Sequence, residues 1–274
     1  MTISYQPAAQ FSFAILSRLI NSAFTGYVGG LVQFTPELLV NFLVQGGVNL
    51  NLSIVAVRDE EPAGIAMIAR RGWTSRVAMM GVAQEMQNQG IGRRLMQVAI
   101  DQARAREDRT LTLEVIEQNP RAVHLYESLG FRSLRRLTGY NGESLTGETL
   151  PIEPVDVAEV ARRITAWAAP DLPWPCSGES LIMFGAPSMG CRIGDSFAAI
   201  SNPEAPRIVI RGLAVPPQQQ RQGWGTRVVS ALLAAFPDRQ WHVSATSPEE
   251  FGRLFTANGF TLDTINQFQM LLTL

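Results

Sequence analysis

A polar loop with two closely spaced glycines, set between an apolar strand and an amphipathic helix, constrains this chain more than any other feature. The strand is predicted over residues 77–82, and Gly90 and Gly92 precede the periodic helical segment. Glycine lets the backbone turn tightly and leaves room for a ligand. A helix that starts there presents free N–H groups and the positive end of its dipole, so the pattern predicts a phosphate or pyrophosphate site. Arg93 and Arg94 add positive charge to the first helical turn.

The spacing of this loop excludes two common phosphate loops. The P-loop pattern, Gly-x-x-x-x-Gly-Lys-Ser/Thr, is absent from the sequence. A dinucleotide fingerprint needs a third small residue three positions after the second glycine, where this chain has Leu95. The pattern that remains is Gln-x-x-Gly-x-Gly, formed by Gln87, Gly90 and Gly92.

A second signature lies downstream of the loop. A β-rich run over residues 111–116 leads to Asn119-Pro120, which is typical of a helix start. A helix of about two turns follows, carries Tyr126, and is predicted to end at Gly130.

With both signatures in this order, the sequence resembles the GNAT superfamily of N-acetyltransferases. The resemblance implies an α/β fold whose mixed, mostly antiparallel sheet is flanked by helices and whose fourth and fifth strands splay apart. It also implies acetyl-CoA as cosubstrate, with its pyrophosphate on the glycine loop and its pantetheine arm between the splayed strands. The cofactor-binding residues that match the family pattern are Val82, Ala83, Gln84, Gln87, Asn88, Gln89, Gly90, Ile91, Gly92, Arg93, Arg94 and Asn119.

The same resemblance assigns candidate chemistry. Tyr126 matches the family tyrosine that protonates the departing thiolate, and a backbone N–H near Val82 would polarise the thioester carbonyl. Glu114 and Glu117, on or just after the fifth strand, are candidate bases for the incoming amine, with a solvated strand edge as the alternative. Asn119 serves equally well as a plain helix cap, and the ring of Tyr126 could simply pack.

Three aromatic residues are expected to shape the acceptor pocket: Phe24, Tyr27 and Trp73. They favour an acceptor with an apolar portion, although core packing explains each of them nearly as well.

The second half of the chain repeats the first, which indicates an internal duplication. Gln220 lies 220 − 87 = 133 residues after Gln87, and Gly259 lies 259 − 130 = 129 residues after Gly130. We therefore expect two tandem GNAT-like domains, a catalytic one over 1–145 and a degenerate one over 151–274, similar in architecture to mycothiol synthase. In the copy Phe255 replaces the tyrosine. The copy's front half is loop-rich over 170–175 and 185–194, which leaves little room for a second helix.

Composition narrows the setting. The formal net charge of −1 gives no field that would attract nucleic acid. Cys176 and Cys191 lack metal-ligand spacing and indicate free thiols, so no metal is expected. The start of the chain lacks the pattern of a signal peptide, and no apolar run is long enough for a membrane span. We expect a cytoplasmic monomer or homodimer that binds neither membrane nor nucleic acid.

These observations predict an N-acetyltransferase that moves an acetyl group from acetyl-CoA to a primary amine of a small molecule. Two alternatives stay open: a non-catalytic acyl-CoA-binding sensor or scaffold, and an acetyltransferase for protein N-termini or lysines.

Overall fold

The structure, a computed structural model, describes residues 3–143 and 145–274. Met1, Thr2 and Ser144 lie outside the described residues, and with them the first positions of the chain and one position of the expected linker. The chain divides into two compact units. The first runs to Leu134 and also includes Phe268–Leu274, and the second is Arg135–Gln267. This division differs from the linear boundary expected between residues 145 and 151. The second unit already begins at Arg135, and the chain's last segment belongs to the first unit.

The first unit is a mixed, mostly antiparallel sheet with helices on both faces. Its strands are β1 (Ile3–Pro7), β2 (Ile54–Arg58), β3 (Glu61–Arg71), β4 (Thr74–Val82), β5 (Thr110–Ile116) and β13 (Gln267–Thr273). Its helices are α1 (Phe13–Ala23), α2 (Pro36–Gly46), α3 (Ile91–Ala105) and α4 (Pro120–Ser128). The strand order is β1-β2-β3-β4-β5-β13, in which β1 to β4 pair antiparallel and β4 pairs parallel with β5.

Local signals in the sequence set the helix ends of this unit. The Thr35 side chain accepts a hydrogen bond from Leu38 N at the start of α2, where Pro36 occupies the first turn. Gly47 ends α2 in the left-handed conformation. Asn119 caps α4 by accepting a hydrogen bond from Ala122 N at 3.2 Å. The helix cap that the sequence analysis offered for Asn119 is therefore confirmed.

Alternating side chains of the sheet build a core on each face. Leu111, Leu113 and Val115 of β5 pack with α3, α4 and β13. On the opposite face, α1 and α2 cover the sheet through residues such as Leu16 and Leu39. The β5 residues that alternate with Leu111, Leu113 and Val115 therefore face the α1–α2 side of the sheet.

The second unit repeats this plan with shorter helices. Its strands are β6 (Arg132–Gly142), β7 (Glu153–Val155), β8 (Met189–Ile193), β9 (Ser196–Ile200), β10 (Arg207–Ala214), β11 (Gln240–Pro248) and β12 (Thr261–Leu262). Its helices are α5 (Val157–Trp167), α6 (Gly178–Leu181), α7 (Trp224–Ala235) and α8 (Gly252–Thr256). The strand order is β6-β11-β10-β9-β8-β7, with β12 also paired to β6.

The front half of the second unit corrects one sequence-based expectation. The segment Gly185–Gly194, expected to be loop, contains β8. The four-residue α6 stands where the first unit has the eleven-residue α2. The glycines of this segment favoured a loop over the short strand β8. Gly190 is required inside the strand, because a side chain there would collide with the backbone oxygens of Val155 and Asp156.

Among the described residues, no helix combines the length and apolarity needed to cross a bilayer. The same residues contain no group of three or more His, Cys, Asp or Glu side chains placed to hold a metal ion. Neither Cys176 nor Cys191 forms a disulfide with any described residue, and burial raises the pKa of the Cys191 thiol to about 11.

Candidate active site

The glycine loop of the first unit has the geometry of an anion cradle. Gly90 is the N-cap of α3 with φ +77°, and Asn88 also lies in the left-handed region at φ +64°. A Cβ placed at Gly90 would meet no atom of the described residues within 4 Å, so the space on that side of the glycine is open. The Ile91 side chain is buried in the core, and its backbone N–H belongs to the first turn of α3, where N–H groups have no acceptor within the helix. The predicted loop residues are thus brought together at one helix N-terminus.

Gln87 ties this loop to the end of β4. Its Nε2 donates a hydrogen bond to the carbonyl of Val82 at 3.2 Å. Ala83 N bonds to Ala63 O on the neighbouring strand β3. Because the backbone groups of alternate residues point to opposite edges of a strand, the N–H of Val82 points away from β3 and toward β5.

The two strands that flank this N–H separate along their length. β4 pairs with β5 only from Thr74–Thr110 to Val77–Leu113. Residues 78–82 of β4 therefore run past β5 without pairing to it. The expected splay of the fourth and fifth strands is confirmed, and it exposes a strand edge next to the loop.

Basic side chains surround the loop, and one of them was missed by the sequence analysis. Arg58, at the end of β2, donates to the side-chain oxygen of Gln89 and to the sulfur of Met86. Arg93 is exposed and donates to Ser128 Oγ at the end of α4, and Arg94 is exposed as well. Arg58 is 31 residues away from Gln89 in sequence, so no local pattern could have indicated it.

Gln84, in the short turn after β4, has a different setting from the other loop residues. Its backbone N–H donates to Ser22 Oγ of α1 at 3.3 Å. It links the loop to the α1 side of the sheet.

Tyr126 lies buried on α4, with 7% of its surface exposed. Its ring packs edge-on against Phe131 and belongs to the core between α3, α4 and the sheet. Burial, and then the nearby phenol of Tyr27, hold the pKa of Tyr126 well above its ordinary value of 10.0. Its hydroxyl therefore keeps its proton throughout the neutral range.

Phe24 and Tyr27 form one cluster at the splayed ends of β4 and β5. Their rings meet edge to face at 4.9 Å between centroids, and burial raises the pKa of Tyr27. A Cβ at Gly81 would stand 3.0 Å from Phe24 Cε2, and a Cβ at Gly29 would stand 2.6 Å from Ile116 Cδ1. The chain segment after α1 therefore packs directly on both strand ends.

Trp73 does not join this cluster. It lies at the start of β4, half exposed, with the guanidinium of Arg109 5.7 Å from its ring centroid. The nine residues of β4 separate it from the glycine loop, a distance of about 30 Å at the usual strand rise.

The two candidate bases have different surroundings. Arg76 donates to Oε2 of Glu114 through both Nε (2.8 Å) and Nη2 (2.7 Å), and the Glu114 side chain is only 5% exposed. Glu117 is half-buried and directly follows Ile116, the last residue of β5, on which the segment with Gly29 packs. Arg76 was another residue that sequence analysis did not single out.

Comparison with known proteins places this geometry in a family. Residues 26–131 match the model of the Acetyltransferase (GNAT) family. The first unit is a GNAT acetyltransferase domain.

Two further kinds of likeness were found. Over 75 residues the chain is 39% identical to streptothricin acetyltransferase of Streptomyces lavendulae, a match that spans 27% of this chain and 40% of that relative. In structure, the chain resembles a GCN5-related N-acetyltransferase from Sphaerobacter thermophilus (TM-score 0.71, 13% identity, covering 99% of this chain and 95% of the other). It also resembles a tandem GNAT protein from the clavulanic acid biosynthesis pathway (TM-score 0.65, 15% identity, 99% and 98%). These structural likenesses extend the GNAT-like fold over both units.

The GNAT loop is copied in the second unit, but the space around it differs. Gly223 is the N-cap of α7 with φ +84°, and Gln220 Nε2 donates to Val215 O at 3.0 Å. A Cβ at Gly225 would stand 2.7 Å from Leu254 of α8, whereas one at the equivalent Gly92 would stand 3.5 Å from its nearest neighbour. Helix α8 therefore closes on α7 more tightly than α4 closes on α3.

Proposed function

We propose that the chain is an acetyl-CoA-dependent N-acetyltransferase, in which the first unit transfers the acetyl group to a primary amine of a small molecule. The observation that carries the proposal is the buried Tyr126, kept protonated beside splayed strands whose open edge adjoins an uncovered glycine loop. The whole-chain fold is compatible with this assignment.

The described residues fit acetyl-CoA as substrate. The open space at Gly90 leaves the first-turn N–H groups of α3 available to a diphosphate. Arg58, Arg93 and Arg94 lie at or near the same loop and would add charge-assisted hydrogen bonds. Acetyl-CoA would supply a thioester, whose distant end these groups would bind.

Two groups of this chain would act on the reacting atoms. The N–H of Val82, directed toward β5, would stabilise negative charge on the carbonyl oxygen. The Tyr126 hydroxyl would donate its proton to the thiolate as it leaves. A phenol with a raised pKa suits this task, because it arrives at the reaction protonated.

For the base we favour Glu117 over Glu114. The side chain of Glu114 is 5% exposed, and Arg76 already occupies its Oε2 through two nitrogens. Glu117 follows Ile116, the strand end against which the Phe24–Tyr27 segment packs. A carboxylate at that position could take a proton from the amine directly or through one water.

We assign the second unit the role of a degenerate, structural copy. Phe255 occupies the place of Tyr126 and packs against Tyr140 and Phe260, so it has no proton to give. The cytoplasmic location and the monomeric or homodimeric state are part of the same proposal.

The test is acetyl transfer by the purified full chain. Acetyl-CoA would be mixed with a panel of small primary amines and with streptothricin, the compound in the relative's name, and released thiol would be followed with mass analysis of the product. We expect turnover of at least one small amine. Tight acetyl-CoA binding without turnover would favour the sensor alternative, and acetylation confined to peptide N-termini or lysines would favour the protein-modifying one.

A further inference from the structure

One oxygen of Glu114 is left without a hydrogen-bond donor. Arg76 bonds only to Oε2, while Oε1 is buried and has no partner among the described residues. Burying half of a carboxylate without a donor is costly, so such an atom points to a missing partner. The side chain lies on the α1–α2 face of β5, the same face as the aromatic cluster.

Gln269 of β13 presents a second oxygen of the same kind. The residue is 5% exposed, and its Oε1 is buried without a hydrogen-bond partner in the part of the chain that the structure describes. Its neighbours Phe268 and Met270 pack in the core on the α3–α4 side. Because side chains alternate along a strand, Gln269 faces the opposite side, as Glu114 does.

Strand register brings these two side chains next to each other. β13 and β5 are neighbours in the sheet, and Leu274 N, just after β13, bonds to Arg109 O, just before β5. The end of one strand meets the start of the other, so the pair is antiparallel. Continued without a bulge, this register sets Leu272 opposite Leu111 and Gln269 opposite Glu114, in agreement with the shared core.

We propose that Glu114 and Gln269 bind a second, protonated nitrogen of the acceptor, an inference that rests on the proposed function. The preferred acceptor is then a diamine or polyamine. The reacting amine must be neutral. The free oxygen of the Glu114 carboxylate and the amide oxygen of Gln269 suit instead a protonated nitrogen, which does not react. Glu114 precedes Ile116 by two residues, which is about 7 Å along the strand. That spacing is similar to the distance between the nitrogens of a four- or five-carbon diamine.

The test compares 1,4-diaminobutane with 1-aminobutane, which has the same carbon chain and lacks the second nitrogen. In the full-length chain we expect kcat/KM for the diamine to exceed that for the monoamine by about tenfold or more, the usual effect of a hydrogen bond to a charged group. Gln269→Leu should lower this ratio about tenfold through the KM of the diamine, with the KM for acetyl-CoA unchanged. Gln269→Glu keeps an acceptor oxygen and should retain the preference.

Thermal unfolding separates this role from a structural one. Gln269→Leu removes a buried oxygen that has no partner within residues 3–143 and 145–274, so the midpoint temperature should stay equal or rise. Thr273→Val, on the same strand and face but opposite Thr110, is the matched control and should leave the diamine preference unchanged. A lower midpoint with an unchanged preference would overturn the proposal and indicate a structural amide or one that binds a buried water.

Failure of the proposed function would be seen separately. If the chain acetylates 1-aminobutane and 1,4-diaminobutane equally well, the transferase assignment stands and the second-nitrogen site is rejected. If neither amine is acetylated, calorimetric titration of the chain with 1,4-diaminobutane decides: binding weakened about tenfold by Gln269→Leu supports the site, and absent or unchanged binding rejects it.

Discussion

The side-chain amide of Gln87 donates to the backbone carbonyl of Val82 at 3.2 Å. This bond joins Gln87, the first residue of the Gln-x-x-Gly-x-Gly pattern, to Val82, the last residue of the splayed strand β4. It occupies the carbonyl of Val82 and leaves the N–H of the same residue directed toward β5. Gln220 and Val215 form the same bond at 3.0 Å in the second unit, which explains why both halves keep a five-residue spacing between valine and glutamine.

Replacing this amide should affect the two units differently. Gln87→Leu removes one side-chain-to-backbone bond and should lower the free energy of unfolding by about 1 kcal/mol. Gln220→Leu removes two, to the carbonyls of Val215 and Trp167, and should lower it by about 2 kcal/mol. Only Gln87→Leu should also weaken acetyl-CoA binding, by roughly five- to tenfold, because Val82 and the loop lose their connection. Calorimetric titration and denaturant unfolding measure both effects, and equal weakening by the two variants would contradict a single working loop.

The left-handed glycines that begin α3 and α7 offer a second matched pair. Gly90 and Gly223 have φ values of +77° and +84°, and each has open space around a placed Cβ. Valine at either position should therefore cost about the same backbone strain, roughly 1–2 kcal/mol. Acetyl-CoA binding should disappear in Gly90→Val and persist at one site per chain in Gly223→Val. A stoichiometry of two in the unmodified chain would show that the second unit also binds the cosubstrate.

Tyr126→Phe tests the proton donor. The hydroxyl acts only when the thiolate leaves, so we expect kcat to fall about 100-fold or more with the acetyl-CoA KM nearly unchanged. Because burial raises the pKa of Tyr126 above 10.0, its acid form persists at neutral and mildly alkaline pH. The rate of the unmodified enzyme should therefore show no decline from this group between pH 7 and about 9. Unchanged kcat in the variant would remove Tyr126 from the mechanism.

Local sequence signals predicted the parts of the site that local chemistry determines. Gly90 and Asn119 act within a few residues of their own positions, so turn and cap preferences were enough to identify them. Contacts between distant segments had no such signal: Arg58 reaches Gln89 across 31 residues, and Arg76 reaches Glu114 across 38. Trp73 was expected at the acceptor pocket but lies at the start of β4, because an aromatic residue at a turn does not indicate which end of the sheet it occupies.

The division into units was predictable only in part for the same reason. The duplication was visible because both halves keep the loop spacing. The position of the final strand, β13, beside β5 could not be predicted, because it depends on which strands of the sheet still lack a neighbour. Alternating apolar residues in Phe268–Leu272 predict a strand but do not name its neighbour.

Gly81 controls the approach of the aromatic cluster to β4. A Cβ there would stand 2.9 Å from Ala23 Cβ and 3.0 Å from Phe24 Cε2, so Gly81→Ala should displace Phe24 and lower stability by about 1–3 kcal/mol. We expect the KM for the amine to rise while acetyl-CoA affinity changes little. Gly185→Ala, where a placed Cβ meets nothing within 4 Å and no left-handed φ is required, is the control and should be close to neutral. A change confined to acetyl-CoA affinity would place the acceptor elsewhere.

Asp108 should make the first unit sensitive to acid. Its fully buried carboxylate accepts hydrogen bonds from Ser75 Oγ and Arg70 Nε, both at 2.6 Å, and pairs with Arg106 at 3.3 Å. Burial alone would raise its pKa, but the bonds from Ser75 and Arg70 and the charge of Arg106 outweigh it, so the pKa lies below its ordinary value of 3.8.

A pKa lowered by folding means that this stabilisation is complete above pH 3.8 and is lost as the pH falls through the folded-state value. Asp108→Asn should therefore cost about 3 kcal/mol at pH 7, because Arg70 and Arg106 lose their buried counter-charge. Denaturant unfolding of both proteins across the acid range should show this difference shrinking as the unmodified carboxylate is protonated. A difference that stays constant down to the lowest pH at which both proteins remain folded would mean that packing or hydrogen-bond geometry, rather than charge, accounts for the stabilisation.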